Sequence, residues 1–163
     1  MIQQTPATKF VNIIQKNKPA AYARITGNEK YPYLSGLVKF FNTPYQCAVV
    51  EAEIFGLPDS SGQNISNFYA MHIHQFGDCS GDFSKTGEHF NPTGARHPYH
   101  AGDLLPLISS QGYAWSAFYD SRFKVADIIG KSVIIHAGHD DFTTQPSGNA
   151  GEKIGCGVIQ ETE

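Results

Sequence analysis

Cysteine is scarce in this chain, with Cys47, Cys79 and Cys156 the only three in 163 residues. Three cysteines allow one disulfide at most and leave a thiol over, which excludes a disulfide-stapled scaffold and a cysteine-based zinc site. Charge of one sign is also scarce. The formal net charge is −3, with acidic and basic residues mixed along the chain, so the basic footprint of a nucleic-acid binder is missing. Long apolar runs are absent. Residues 101–120 are the longest stretch worth testing as a membrane span, and Pro106, Gln111, Gly112 and the serines 109, 110 and 116 break it. Residues 1–9 contain no charged region followed by an apolar run, so no signal peptide is visible. A cytoplasmic protein is expected on that ground, or an exported one whose signal has been removed. There are no internal repeats. What remains is an ordinary soluble composition, 40% hydrophobic, at a length that suits one domain with one sizeable core.

Residues 7–18 place Phe10, Ile13 and Ile14 at helical spacing. They read either as a short amphipathic helix or as a plain extension. From residue 21 onward the pattern changes to strands. Segments 22–25 and 34–41 flank the turn-forming residues 27–30. Residues 47–55 alternate, with Val49, Glu51 and Glu53 on one parity and Ala48, Val50, Ala52 and Ile54 on the other. Further strands are predicted over 68–74, 113–119, 125–129, 132–136 and 157–160. Some eight short strands separated by Gly, Pro and Asn clusters point to an antiparallel sandwich or barrel. Residues 77–112 and 137–155 interrupt the rhythm as long loops, and such loops in a compact β domain are usually functional.

All seven histidines lie between positions 72 and 139. His72 and His74 are two apart in a strand pattern, so both imidazoles leave the same face and can chelate one metal, or form an ordinary surface pair. His89, His97, His100 and Asp103 fall within one loop. Three imidazoles and a carboxylate make a complete tetrahedral zinc set with no open position, which would pin a loop too poor in apolar residues to pin itself. A histidine-rich surface loop is the plainer alternative. His136 closes an apolar run and can complete the site begun by His72 and His74. His139 follows a glycine and reads as solvated. A site of imidazole nitrogens suits copper as well as zinc, and copper beside a structural zinc suggests redox chemistry.

Five segments resemble one family, the copper/zinc superoxide dismutases. They are residues 71–78 (MHIHQFGD), 87–92 (GEHFNP), 97–104 (HPYHAGDL), 133–141 (VIIHAGHDD) and 148–158 (GNAGEKIGCGV), in the family's order and at similar spacings. The resemblance runs from about residue 21 to residue 159. It implies an all-β fold: an eight-stranded antiparallel Greek-key barrel or sandwich with two long functional loops. The domain would cover residues 21–163, after an extension at 1–20. It implies copper held by His72, His74, His89 and His136, and zinc held by His89, His97, His100 and Asp103, with His89 bridging the two. It makes Asp140 the carboxylate that orients His72 and His97, and it pairs Cys79 with Cys156. Cys47 is then the free thiol, read as a buried apolar residue.

The resemblance also implies the reaction. Superoxide would be converted to dioxygen and hydrogen peroxide, with His89 releasing copper on its reduction and carrying a proton to the leaving peroxide. The alternative is a copper-handling protein of the same fold with little or no dismutase activity. The family's anion-guiding arginine is replaced here by Lys153, which keeps the charge and loses the planar fork. Glu152 beside it would offset part of that charge, and the loop over 141–156 supplies no other cation. Weaker steering is expected. The partner expected is superoxide, with no nucleic acid and no membrane, and a homodimer is an assembly the family allows.

Overall fold

A computed structural model describes residues 6–45, 47–58 and 67–163. The start of the extension, residues 1–5, lies outside them. The rest opens with helix α1 (Pro6–Lys16). Its apolar stripe sets Phe10, Ile13 and Ile14 against Phe41 and Val49 on the outside of the sheet, and the Phe10 ring rests 5.2 Å from that of Tyr119. This explains why Val49 is buried although its parity is shared with Glu51 and Glu53. No helix among the described residues is long and apolar enough to cross a membrane.

Nine strands follow among the described residues, against the eight expected: β1 (Ala21–Gly27), β2 (Ser35–Asn42), β3 (Ala48–Phe55), β4 (Phe68–Tyr69), β5 (Met71–His74), β6 (Leu107–Ile108), β7 (Tyr113–Asp120), β8 (Ser132–His136) and β9 (Lys153–Glu161). Seven of them form one curled antiparallel sheet in the order β5-β8-β9-β1-β2-β3-β7, and β4 pairs with β6 separately. The chain leaves the sheet after β3 near one end and re-enters at the other end with β5, which is a Greek-key connection. Alternating residues fill the inside, where Val38, Phe40, Val50, Ile54, Ile73, Val133 and Ile135 meet in one buried cluster.

Two expected strands are corrected. The stretch 68–74 does not run through as one strand. It breaks at Ala70, whose N–H donates to Gly138 O and whose carbonyl accepts from the His136 N–H. Residues 125–129 do not form a strand at all. Helix α2 (Val125–Ile128) stands there, with the Asp127 carboxylate accepting from the Lys124 N–H at 3.0 Å. That cap outweighs the β-branched composition, and the turn still buries Val125 and Ile128 in the core.

Candidate metal centre

Register decides where the site sits. On β5, Met71 and Ile73 point into the core, so His72 and His74 leave the opposite, outer face. On β8 the same outer face carries Ile134, which pairs across to His72. His136, two residues on, follows a register irregularity at Ile135/His136, and its ring lies 4.9 Å from that of His72 and 5.5 Å from that of His74. The free edge of β5 is covered by loop backbone. Phe90 N–H donates to Ile73 O, Ile73 N–H to Gly102 O and Gly102 N–H to Phe90 O. A Cβ on Gly102 would meet Ile73 O at 2.3 Å, so only glycine permits this three-way approach. The pairing puts His89 opposite His74 and Asp103 opposite His72.

Two groups of side chains converge as a result, one of His72, His74, His89 and His136, the other of His89, His97, His100 and Asp103. Within each group the ligand atoms lie within 4.8 Å of one another, and every residue is buried. His89 belongs to both. Its Nδ1 lies 2.7 Å from Asp103 Oδ1 and 3.4 Å from His100 Nδ1, on the side of the second group. His139 is exposed and belongs to neither group.

The outer hydrogen bonds fix each ring. His74 Nδ1 donates to Gly87 O at 2.9 Å, and His136 Nδ1 donates to Gly151 O at 3.1 Å. Both partners are carbonyls, so those nitrogens carry the protons and the Nε2 atoms keep their lone pairs. Asp140 does the same for two rings at once, taking His72 Nε2 on Oδ2 and His97 Nε2 on Oδ1, each at 2.8 Å. The nitrogens left without a hydrogen-bond partner are His72 Nδ1, His74 Nε2, His89 Nε2, His136 Nε2 and His97 Nδ1. His97 Nδ1 lies 3.1 Å from Asp103 Oδ2 without the alignment of a hydrogen bond. Buried nitrogens left bare in this number are unusual, because each costs about 1–3 kcal/mol if nothing occupies it.

The titration behaviour agrees. Burial pushes the His72 ring down to about 4 and the His136 ring down to about 3, and it lowers His74 as well. These imidazoles are therefore neutral at neutral pH, the form that binds metal. Burial alone would raise Asp140, but the hydrogen bonds from His72, the Phe142 N–H and His97 outweigh it and hold the carboxyl down near about 2.

Several supports were not read from the sequence. Arg122 donates through Nη1 to His100 O at 3.2 Å and through Nη2 to Asp103 O, while its Nε and Nη2 also meet the Asp120 carboxylate at the end of β7. It thereby anchors the second group to the sheet. Gln145 clamps His97 from the other loop, accepting from its N–H at 3.1 Å and donating to its carbonyl at 2.7 Å. Both contacts join distant parts of the chain, and no local pattern announces them. Cys79 and Cys156 form a disulfide, and Cys47 is a buried free thiol.

The first group opens on a cavity of about 560 Å³ lined by His74, His89, His136, Arg96, Gln145 and Lys153, among others. Lys153 thus lines the site, and burial lowers its pKa. Glu152 does not offset it as the sequence suggested. Its carboxylate is turned to Lys30, 2.7 Å away.

A curled antiparallel barrel with two histidine-rich groups sharing one ring defines a β-barrel protein with two adjacent clusters that could each hold a metal ion. The family model for copper/zinc superoxide dismutase matches residues 34–159, and the chain belongs to that family. Among its relatives, the copper chaperone for superoxide dismutase of Rattus norvegicus is 32% identical over 88% of this chain and 54% of its own length. The extracellular superoxide dismutase of the same animal is 34% identical over 78% of this chain and 55% of its own. The chain thus spans about half the length of these curated relatives. The superoxide dismutase of Schizosaccharomyces pombe is 36% identical over 85% of this chain and 96% of its own. The solved structure of the clock protein EA4 superimposes with a TM-score of 0.74 at 28% identity, covering 88% of this chain and 96% of that one.

Proposed function

We propose that this chain is a superoxide dismutase that holds copper on His72, His74, His89 and His136 and zinc on His89, His97, His100 and Asp103. The observation that carries the reading is the set of bare, buried ring nitrogens. All four members of the first group offer one, each with its tautomer fixed from behind where a partner is present. The second group is a closed three-imidazole, one-carboxylate set, the composition of a structural zinc site.

Copper bound at the first group would supply the one-electron exchange that turns two superoxide anions and two protons into dioxygen and hydrogen peroxide. The chain's own residues do the rest. His89 Nε2 faces the first group and is suited to hold a proton and pass it to the departing peroxide, while its Nδ1 stays with the loop group. Asp140 keeps His72 and His97 in one orientation, so the two groups cannot drift apart. Lys153 adds positive charge to the open side, which favours an anionic substrate.

The test is direct. Protein loaded with both metals should bind one copper and one zinc per chain and dismutate superoxide catalytically. His72→Ala should lower copper affinity by at least about tenfold and remove most of the activity. Full activity in that variant, or no stoichiometric metal in the parent protein, would sink the proposal. A second reading is favoured by the copper-chaperone relatives: the chain handles copper without dismutating superoxide. One copper and one zinc per chain with activity no higher than that of His72→Ala would select it.

A further inference from the structure

Lys153 stands where the family resemblance puts a guiding arginine, and it has no hydrogen bond left for a ligand. An ammonium carries three N–H donors. The Lys153 Nζ lies 2.8 Å from Thr86 Oγ1, 3.1 Å from Gly87 O and 3.4 Å from Phe83 O. All three acceptors belong to the wall over residues 83–87. The side chain ties β9 to that wall and gives the cavity charge, but no donor.

A second cation lines the same cavity. Arg96 is exposed, and no carboxylate among the described residues pairs with it. The backbone around it is held on both sides. Ala95 N–H donates to Asn91 Oδ1 at 3.0 Å, and Asn91 Nδ2 donates to Ala95 O at 2.9 Å. Gln145 clamps His97, and Arg96 O accepts from the Tyr99 N–H at 2.8 Å. A guanidinium borne on this anchored backbone presents a planar fork of N–H donors, which suits a small anion better than a point charge does. Among the described residues, the only carboxylate lining the cavity is Glu88, set against two cations.

We propose that Arg96, not Lys153, hydrogen-bonds small anions in the cavity beside the histidine group, and that Lys153 acts as a fixed charge and a positioning residue. The relevance to catalysis rests on the dismutase reading, since superoxide is such an anion. The binding does not.

Azide is the probe. It is titrated into the copper- and zinc-loaded protein and followed by its charge-transfer absorption. Arg96→Gln should weaken azide by about tenfold, the worth of a charge-assisted hydrogen bond. Arg96→Lys should recover part of that loss. Lys153→Met should weaken azide by about twofold through the lost field. Arg24→Gln on β1, which deletes the same charge elsewhere, should leave the affinity within about twofold, because screening removes distant charges. The idea is overturned if Arg96→Gln binds azide like the parent, if it loses no more than Arg24→Gln, or if Lys153→Met loses as much as Arg96→Gln. If the protein takes up no copper, the dismutase reading fails by itself. Inorganic phosphate, titrated against the metal-free protein and followed by phosphorus NMR line width, then reads the same contrast between variants.

Discussion

A methyl group at position 148 would stand 2.0 Å from Asp140 Oδ1 and 2.7 Å from His97 Nε2, and Gly148 itself has a φ of +69°. Nothing larger than hydrogen fits there without moving the carboxylate that orients His72 and His97. Gly148→Ala should therefore weaken zinc and copper binding by about tenfold or more, read by chelator competition, while the metal-free barrel still folds. Unchanged metal affinity would show that Asp140 is dispensable. The buried rings make a second prediction. In the unfolded chain His72 and His136 titrate near 6.5, and in the fold they are pushed down to about 4 and about 3. Below 6.5 the unfolded state binds protons that the folded state refuses, so stability falls as the pH drops toward 4 and then 3. Metal-free protein should lose about 2 kcal/mol or more between neutral pH and about pH 4.5, by thermal denaturation. A flat profile there would mean the rings are hydrated. The histidines were legible in the sequence because their spacing is local: period two on a strand, and a tight loop cluster. Arg122 and Gln145 were not, because each bonds a partner that the fold, and not the sequence, brings near, and Arg96 was not, because only the fold sets it in the cavity wall.

Strands that alternate cleanly, such as β3, are legible because burial on one face repeats every second residue. Elements fail to be legible where a local bond outranks composition. Val125–Ile128 has strand-like residues, but Asp127 caps its own turn, and a four-residue helix results. Ala70 ends β4 because its backbone is taken by Gly138 and His136. Those same bonds hold the loop after β8 against β5, so the break that hid the strand boundary also serves the site. The disulfide belongs to this scale, since it fastens the loop after β5 to β9 over a separation of 77 residues. Replacing Cys79 and Cys156 with serine should cost about 2–4 kcal/mol in denaturant unfolding. A loss under about 0.5 kcal/mol would show that the metals or the barrel already hold that loop.

At the scale of the molecule, the two groups are built on different foundations. His72, His74 and His136 ride on β5 and β8, whose backbones are paired and whose reverse faces pack into the core. His97, His100 and Asp103 ride on a loop with no strand of its own, held by Arg122, Gln145 and Asp140. Sequence patterning exposed the first foundation, since it is a matter of residue period. The second depends on loops closing over one another. It follows that three rings of the first group come with strands that also build the barrel, while the fourth, His89, depends on loop backbone that borrows the free edge of β5, so damage to that edge would cost the first group one ring and the second group its link to the first.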